Sequence, residues 1–334
     1  MSHLNLVHDF YRKSGHRLGK RLRGRRDMLS YGFSAHRHAR AGEWDAELLD
    51  RAHLIRHVQA ARENMESYRR IDRLIDQHSN ELGRYKADPQ MPKKFLFFVG
   101  YGRSGHSLVG SLLDAHPSIA IAHELDALKH FKQGYSYDDV VMATKYNSYF
   151  FHHFGRSYTG YDYAVPGQHQ GQFRELEILG DKKGNATARR MRRNPGLIDR
   201  LAEAVPVPFQ YVHVIRNPFD NIATQATRRN TSLRDGFRGY FLNVDLIVEL
   251  KKRQPGRVLD VYLDDLMERP HATLTALLQR LGVASIPEDY LDACASILFT
   301  KPRRTREKFS WDGHMVRDIE ARFREVDFLR RFSS

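Results

Sequence analysis

The 334-residue sequence contains a single cysteine, Cys294, and no long hydrophobic run. One cysteine can form neither an internal disulfide nor a multi-cysteine metal site, so nothing in the sequence requires an oxidising compartment. The amino-terminal stretch MSHLNLVHDF lacks the apolar segment of a secretory signal, and no stretch is apolar over the length of a membrane span. We therefore expect a cytoplasmic protein without a transmembrane segment.

Negative charge is also scarce relative to positive charge. The sequence has 54 Lys and Arg against 40 Asp and Glu, which gives a formal net charge of +14. This excess favours an anionic partner such as a nucleotide, a membrane surface or a polyanion. The cations concentrate in residues 12–26, which we interpret as a solvated basic surface, and in residues 301–308, which we interpret as a loop that closes over an anion.

What the sequence does have is enough apolar material for a core, since 41% of its residues are hydrophobic. Residues 44–82 have a helical period, and a proline-containing linker follows them. We predict a basic helical amino-terminal extension over residues 1–92, which is one candidate for an oligomer contact. The second predicted domain covers residues 93–334.

The second domain alternates between apolar strands and amphipathic helices. Its predicted strands are 95–99, 119–122, 176–179, 209–215 and 258–263. Its clearest predicted helices are 107–115, 271–283 and 312–332. This alternation predicts an α/β fold with a central parallel sheet and helices on both faces.

A glycine-rich stretch, GYGRSGHS, follows the first predicted strand. Its spacing is that of a P-loop, with Gly100 and Gly105 separated by four residues and followed by His106 and Ser107. The stretch would be a P-loop if His106 were lysine. Such a turn between a parallel strand and a helix directs backbone N–H groups at one spot, which binds phosphate. A tight turn without a ligand is the alternative interpretation.

A nucleoside triphosphatase needs more than this loop. It also needs the loop lysine and an acidic residue at the end of a second strand, which holds magnesium. The strand at 209–215 is followed by Arg216 instead. We therefore expect a nucleotide that cationic side chains handle without a metal.

With these motifs the sequence resembles the sulfotransferases that use 3′-phosphoadenosine 5′-phosphosulfate, over nearly the whole segment 95–332. The family's loop, R-S-G-T-T or K-S-G-T-T, is matched by RSGHS, and the following LLDAHP is similar to the tyrosylprotein and carbohydrate branch. In HVIRNPFDNIAT, the resemblance implies that an arginine and a hydroxyl eight residues later hold the 3′-phosphate. The residues implied to bind the nucleotide are Arg103, Ser104, Gly105, His106, Ser107, Arg216, Thr224, Arg306 and Lys308.

The resemblance also implies residues for in-line transfer of a sulfuryl group, with adenosine 3′,5′-bisphosphate as the product. Arg103 is the cation for the leaving oxygen, and Lys182 is a second cation at the sulfonate, with Lys183 as the alternative. Glu124 is the candidate base for the acceptor proton, and His123 is the second candidate. A simple ion pair of Glu124 with Lys182 or Arg103 is the alternative role. Gly184 departs from the family pattern, which often has threonine or aspartate there.

Residues 131–175 are rich in Tyr, Phe, His and Gln and are expected to line the acceptor pocket, an aromatic core being the alternative. The histidines of this region lack a companion acid at metal-ligand spacing, so no metal site is predicted. The expected acceptor is a hydroxyl of a carbohydrate, a lipid-linked glycan or another small polar molecule, and no nucleic-acid partner is expected. The competing interpretations are a P-loop-type nucleotide kinase and a non-catalytic polyanion-binding protein.

Overall fold

The computed structural model describes residues 89–152, 163–299 and 304–333. The chain divides into two compact units, Met1–Gln90 with Phe150–Asp162, and Met91–Tyr149 with Tyr163–Ser334. Nearly all of the described residues belong to the second unit. The predicted helix over 44–82 lies outside the described residues, so the domain division after residue 92 stays a prediction.

Five parallel strands form the centre of the second unit. They are β1 (Lys94–Val99), β2 (Ile119–His123), β3 (Ile178–Lys182), β4 (Phe209–Ile215) and β5 (Val258–Tyr262). Their order in the sheet is β2-β3-β1-β4-β5, with Phe95 of β1 aligned with Leu179 and Phe209. The last five residues of β1 are each at most 1% exposed, which explains why this strand is a continuous apolar run.

Helices connect the strands and flank the sheet, so the predicted α/β fold is confirmed. They are α1 (His106–Asp114), α2 (Ala127–Lys132), α3 (Tyr137–Phe150), α4 (Gly184–Arg193), α5 (Leu197–Ala204), α6 (Pro218–Arg229), α7 (Leu233–Arg253), α8 (Leu263–Glu268), α9 (Pro270–Leu281), α10 (Glu288–Ser296) and α11 (Gly313–Glu325). Two 3₁₀ helices are Thr305–Lys308 and Asp327–Phe332. No helix in the described part of the chain is long and apolar enough to cross a membrane.

Strand β3 differs from its prediction. It begins at Ile178 instead of Leu176 and extends to Lys182. The last two residues are charged, so the apolar pattern ends too early, yet Asp181 and Lys182 are only 2% and 3% exposed. Both are tolerated inside because they have polar partners, as when the Asp181 carboxylate accepts the Ala127 N–H at 2.7 Å.

The strand order reverses at β1. From β1 the chain passes to β2 at one edge, returns to β3, and then continues to β4 and β5 on the other side. In open parallel sheets, ligands bind beyond the carboxyl ends of the strands at such a switch point. The loop after β1 and the ends of β2, β3 and β4 meet at this edge, which therefore carries every predicted catalytic residue.

Candidate functional site

The anion-binding loop, residues 100–105, joins β1 to α1. Gly100 and Gly105 have φ angles of 138° and 107°, which side chains disfavour, and Arg103 adopts a φ of 69°. The first N–H groups of α1 begin directly after this loop and have no side-chain cap, as expected of an anion site. Arg103 is exposed at the tip of the loop. Ser104 is buried, and its Oγ donates to the Tyr101 carbonyl at 3.1 Å, so this hydroxyl stabilises the loop.

His106 is buried at the start of α1. Its ring packs edge-on against Phe98, with centroids 5.9 Å apart, and burial lowers the pKa of His106 to about 3, so the ring is neutral. A Cβ added at Gly184 would lie 2.5 Å from its Nδ1 and 2.8 Å from its Nε2. The ring thus fills the space that a side chain at position 184 would need. The two departures from the family pattern, His106 and Gly184, are therefore linked. The His106 ring leaves no room for a side chain at position 184, so histidine at 106 requires glycine at 184.

The Lys182 side chain makes hydrogen bonds both to the start of α1 and to residues at the end of β2. Its Nζ donates to Ser107 Oγ at 3.0 Å, to Glu124 Oε1 at 3.2 Å and to His123 Nε2 at 3.3 Å. Burial lowers the pKa of Lys182, and the Glu124 carboxylate opposes this shift. The structure therefore brings four of the predicted site residues together around one ammonium group.

Glu124 lies between two lysines. Its Oε1 pairs with Lys182 and its Oε2 pairs with Lys183. Burial raises the pKa of Glu124, but the two ammonium groups outweigh burial and hold this pKa well below its usual value. The side chain is still 43% exposed, and the backbone has a φ of 66°. Glu124 is therefore an ionised carboxylate at the surface of the site, and the two lysines considered in the sequence bind the same group.

Acidic side chains that the sequence patterns did not indicate fix the backbone after β2. The Asp181 carboxylate accepts the N–H groups of Leu125 at 3.1 Å and Ala127 at 2.7 Å. Burial raises the pKa of Asp181 to about 7. Asp126 has a φ of 73° and accepts two hydrogen bonds from Arg190, of which the Nε bond is 2.8 Å. The segment that follows the candidate base is thereby held in a strained conformation.

Arg216 lies beside Thr224, the residue that the resemblance pairs with it. Arg216 follows β4, Thr224 lies in α6, and Arg216 NH1 donates to Thr224 Oγ1 at 3.1 Å. Arg216 is 8% exposed, and its NH1 also lies 3.5 Å from the Arg103 carbonyl in the loop. Thr305 Oγ1 lies 3.3 Å from Arg216 NH2 and 3.0 Å from Thr224 Oγ1. Thr305 was missed as a single residue, although it belongs to the basic segment predicted to close over an anion.

Arg306 and Lys308 lie in the first 3₁₀ helix, and they are placed differently from each other. Arg306 donates from its backbone N–H and from NH1 to the buried Asp220 carboxylate, at 2.8 Å and 3.1 Å. The Trp311 Nε1 donates to the Arg306 carbonyl at 3.0 Å, and its ring packs on Phe219. Arg306 therefore anchors this segment to α6, whereas the Lys308 side chain is exposed.

A parallel α/β sheet with a glycine-rich loop after its first strand defines a P-loop-like protein. The model of the sulfotransferase family matches residues 96–288, which is more than half of the chain. The match begins in β1 and ends in α10, so it covers the anion-binding loop, the lysine pair and the Arg216–Thr224 pair. The chain therefore belongs to the sulfotransferase family.

Similar solved structures include three sulfotransferases of low sequence identity. A sulfotransferase domain from a Synechococcus olefin synthase is 17% identical, covers 68% of this chain and 87% of its own, and has a TM-score of 0.39. A Mycobacterium avium sulfotransferase is 12% identical, covers 76% of this chain and 84% of its own, and has a TM-score of 0.41. A mouse sulfotransferase complexed with PAP is 12% identical, covers 75% of this chain and 91% of its own, and has a TM-score of 0.40. No curated protein matches the chain.

Proposed function

We propose that this protein transfers a sulfuryl group from 3′-phosphoadenosine 5′-phosphosulfate to a hydroxyl of a carbohydrate or another small polar acceptor. The observation that carries the proposal is the position of Lys182. Its Nζ lies 3.0 Å from Ser107 Oγ, in the first turn of α1 directly after the anion-binding loop, and 3.2 Å from Glu124 Oε1. A buried cation, the start of α1 and a carboxylate therefore meet at one point, and membership of the sulfotransferase family supports the reaction class.

The carboxyl edge of the sheet fits the two anionic ends of this donor. At one end, the anion-binding loop and the start of α1 offer backbone N–H groups for the phosphosulfate. Gly105, His106 and Ser107 are proposed to act there through the backbone, since the His106 ring is buried. At the other end, Arg216 and Thr224 offer a planar cation and a hydroxyl for the 3′-phosphate.

The protein residues are proposed to position the reactants and to stabilise charge. Transfer forms a bond between the acceptor oxygen and sulfur and breaks the bond between sulfur and the 5′-phosphate oxygen. Arg103 and Lys182 stabilise the negative charge that develops on the leaving oxygen and the sulfonate. Glu124, which is already ionised, takes the proton of the acceptor hydroxyl, and His123 is the alternative base.

The proposal is tested by measuring release of adenosine 3′,5′-bisphosphate from the donor in the presence of a panel of sugars and phenols. The wild-type protein is expected to release it in an acceptor-dependent way. Lys182→Met keeps the apolar stem and removes the charge, so it should lower the rate at least about 100-fold. Lys252→Met, at an exposed lysine of α7, is the matched control and should leave the rate unchanged.

Two results would count against this function. One is the absence of acceptor-dependent release with every member of the panel. The other is an equal rate for wild type and Lys182→Met, because the reaction would then not depend on the cation at the centre of the site. Unfolding midpoints of both lysine variants show whether a lost rate reflects a lost fold.

A further inference from the structure

Tyr101 belongs to the anion-binding loop, yet it is completely buried. Its hydroxyl lies 3.0 Å from His213 Nε2, and its ring stacks on Tyr240 with centroids 4.1 Å apart. Its carbonyl oxygen accepts the Ser104 hydroxyl at 3.1 Å. The hydroxyl, the ring and the backbone of this one loop residue are thus held by three different groups.

The partner of the Tyr101 hydroxyl is itself oriented by a carboxylate. His213 lies in β4 and is 0% exposed, and its Nδ1 is 2.9 Å from Asp260 Oδ1 of β5. Asp260 Oδ2 accepts the Lys251 ammonium, which favours the ionised carboxylate. An ionised Asp260 accepts the Nδ1 proton, so Nε2 carries the lone pair that accepts the Tyr101 hydroxyl. These three residues, which we call the Tyr101 anchor, therefore form a chain of hydrogen bonds. Tyr101 donates to His213, and His213 donates to Asp260.

The anchor reaches the first residue of the loop as well. A Cβ added at Gly100 would lie 3.1 Å from His213 Cδ2, so the His213 ring lies against this glycine. On another side, Asn243 Nδ2 donates to the Gly100 carbonyl at 2.9 Å. The path of the chain from β1 into the loop is therefore fixed by contacts within the protein.

Phenylalanine would fill the same space as Tyr101 but would leave the buried His213 Nε2 without its partner. The Tyr101 hydroxyl therefore fixes the loop through a hydrogen bond as well as through packing. A loop whose N–H groups are already aligned binds an anion without having to be ordered by it. The anchor holds the loop, whereas the Arg216 guanidinium is held by Thr224 at 3.1 Å and Thr305 at 3.3 Å.

We propose that Tyr101, held by His213 and Asp260, is a positioning residue that pre-organises the loop for the 5′-phosphosulfate end of the donor. This inference rests on the proposed function, because that function assigns the loop to the 5′ end and Arg216 to the 3′ end. The anchor does not touch the nucleotide and acts only through the loop. Removing the hydroxyl should therefore weaken binding at the 5′ end and leave binding at the 3′ end unchanged.

The test compares Tyr101→Phe with Tyr211→Phe as the matched control. Tyr211 is an equally buried tyrosine of β4, and its hydroxyl has no hydrogen-bond partner among the described residues. Each full-length protein is titrated calorimetrically with adenosine 3′,5′-bisphosphate and with adenosine 3′-phosphate, which lacks the group that meets the loop. We expect Tyr101→Phe to weaken the bisphosphate about tenfold and the 3′-phosphate less than about twofold. Tyr211→Phe should change neither affinity.

Equal affinities of wild type and Tyr101→Phe for the bisphosphate would overturn the inference. So would equal losses for both nucleotides, because a general loosening of the fold does not select one end of a ligand. If the wild-type protein binds neither nucleotide, the proposed function fails and the inference fails with it. If Tyr101→Phe is unfolded at the titration temperature, Asp260→Asn leaves Tyr101 in place, and the same selective loss is required of that variant.

Discussion

The contact between His106 and Gly184 predicts that the effect of Gly184→Ala on stability depends on the residue at position 106. Gly184→Ala should destabilise the wild type but not a His106→Ala variant. A methyl group at position 184 would lie 2.5 Å from His106 Nδ1 and 2.8 Å from Nε2, closer than side-chain atoms normally approach. The ring has little room to move, because it is buried and Phe98 packs edge-on against it. Overpacking costs about 1–3 kcal/mol, and we expect Gly184→Ala to cost about 3 kcal/mol.

Removing the ring should remove this cost. The φ angle of Gly184 lies outside the left-handed region, so backbone strain does not add to the effect. In a His106→Ala background the methyl group has space, and alanine is a better helix residue than glycine at the start of α4. Gly184→Ala should then cost less than about 0.5 kcal/mol, or should stabilise the protein.

The assay is thermal and denaturant unfolding of the wild type, the two single variants and the double variant. Gly184→Ala alone should lower the unfolding midpoint by about 6–12 °C for a domain of this size. The double variant should unfold close to His106→Ala, which corresponds to a coupling of about 3 kcal/mol. Equal losses from Gly184→Ala in both backgrounds would refute the conclusion that the ring fills the space at position 184.

Two further predictions concern pH. The pKa of Asp181 is about 7 in the folded state, above its value of about 4 in an unfolded chain, so the folded protein binds a proton that the unfolded chain lacks. Its stabilising contribution is fully present below about pH 4 and is lost as pH rises from about 4 to about 7. The unfolding midpoint of wild type should therefore fall relative to that of Asp181→Asn between these pH values, and parallel curves would contradict this. If Glu124 is the base, its lowered pKa means that the transfer rate should not change as pH falls to well below 6. Glu124→Gln should then abolish transfer. A pH-dependent limb of the rate profile that His123→Asn removes would assign the base to His123 instead.

Much of the sheet can be predicted from the sequence because most of its strands are buried on both faces. β1 and β4 are apolar runs bounded by proline, glycine or arginine, and the structure places them within one residue of their predicted limits. β3 could not be delimited in this way, since its last two residues are charged. Asp181 and Lys182 are buried by partners on other elements, and no local pattern records such partners.

The same distinction between contacts local in sequence and contacts between distant residues applies to the candidate site. The Arg216–Thr224 pair is expected from the family resemblance, and its two members are in contact across a strand end and the helix that follows it. Thr305 joins that pair from 89 residues away, and His213 reaches Tyr101 across 112 residues. The contact of His213 with Tyr101 follows from the strand order, which brings β1 and β4 side by side, and neither contact follows from a period in the sequence.

The central claim is that the carboxyl edge of this sheet binds a nucleotide with phosphates at both its 3′ and 5′ positions. It is tested most directly by calorimetric titration of the purified protein with adenosine 3′,5′-bisphosphate in the presence of a chelator, in parallel with magnesium–ATP. The account predicts binding of the bisphosphate without metal, at least about tenfold tighter than magnesium–ATP. Preference for magnesium–ATP would contradict it and favour a kinase, and binding of neither would favour a polyanion-binding protein.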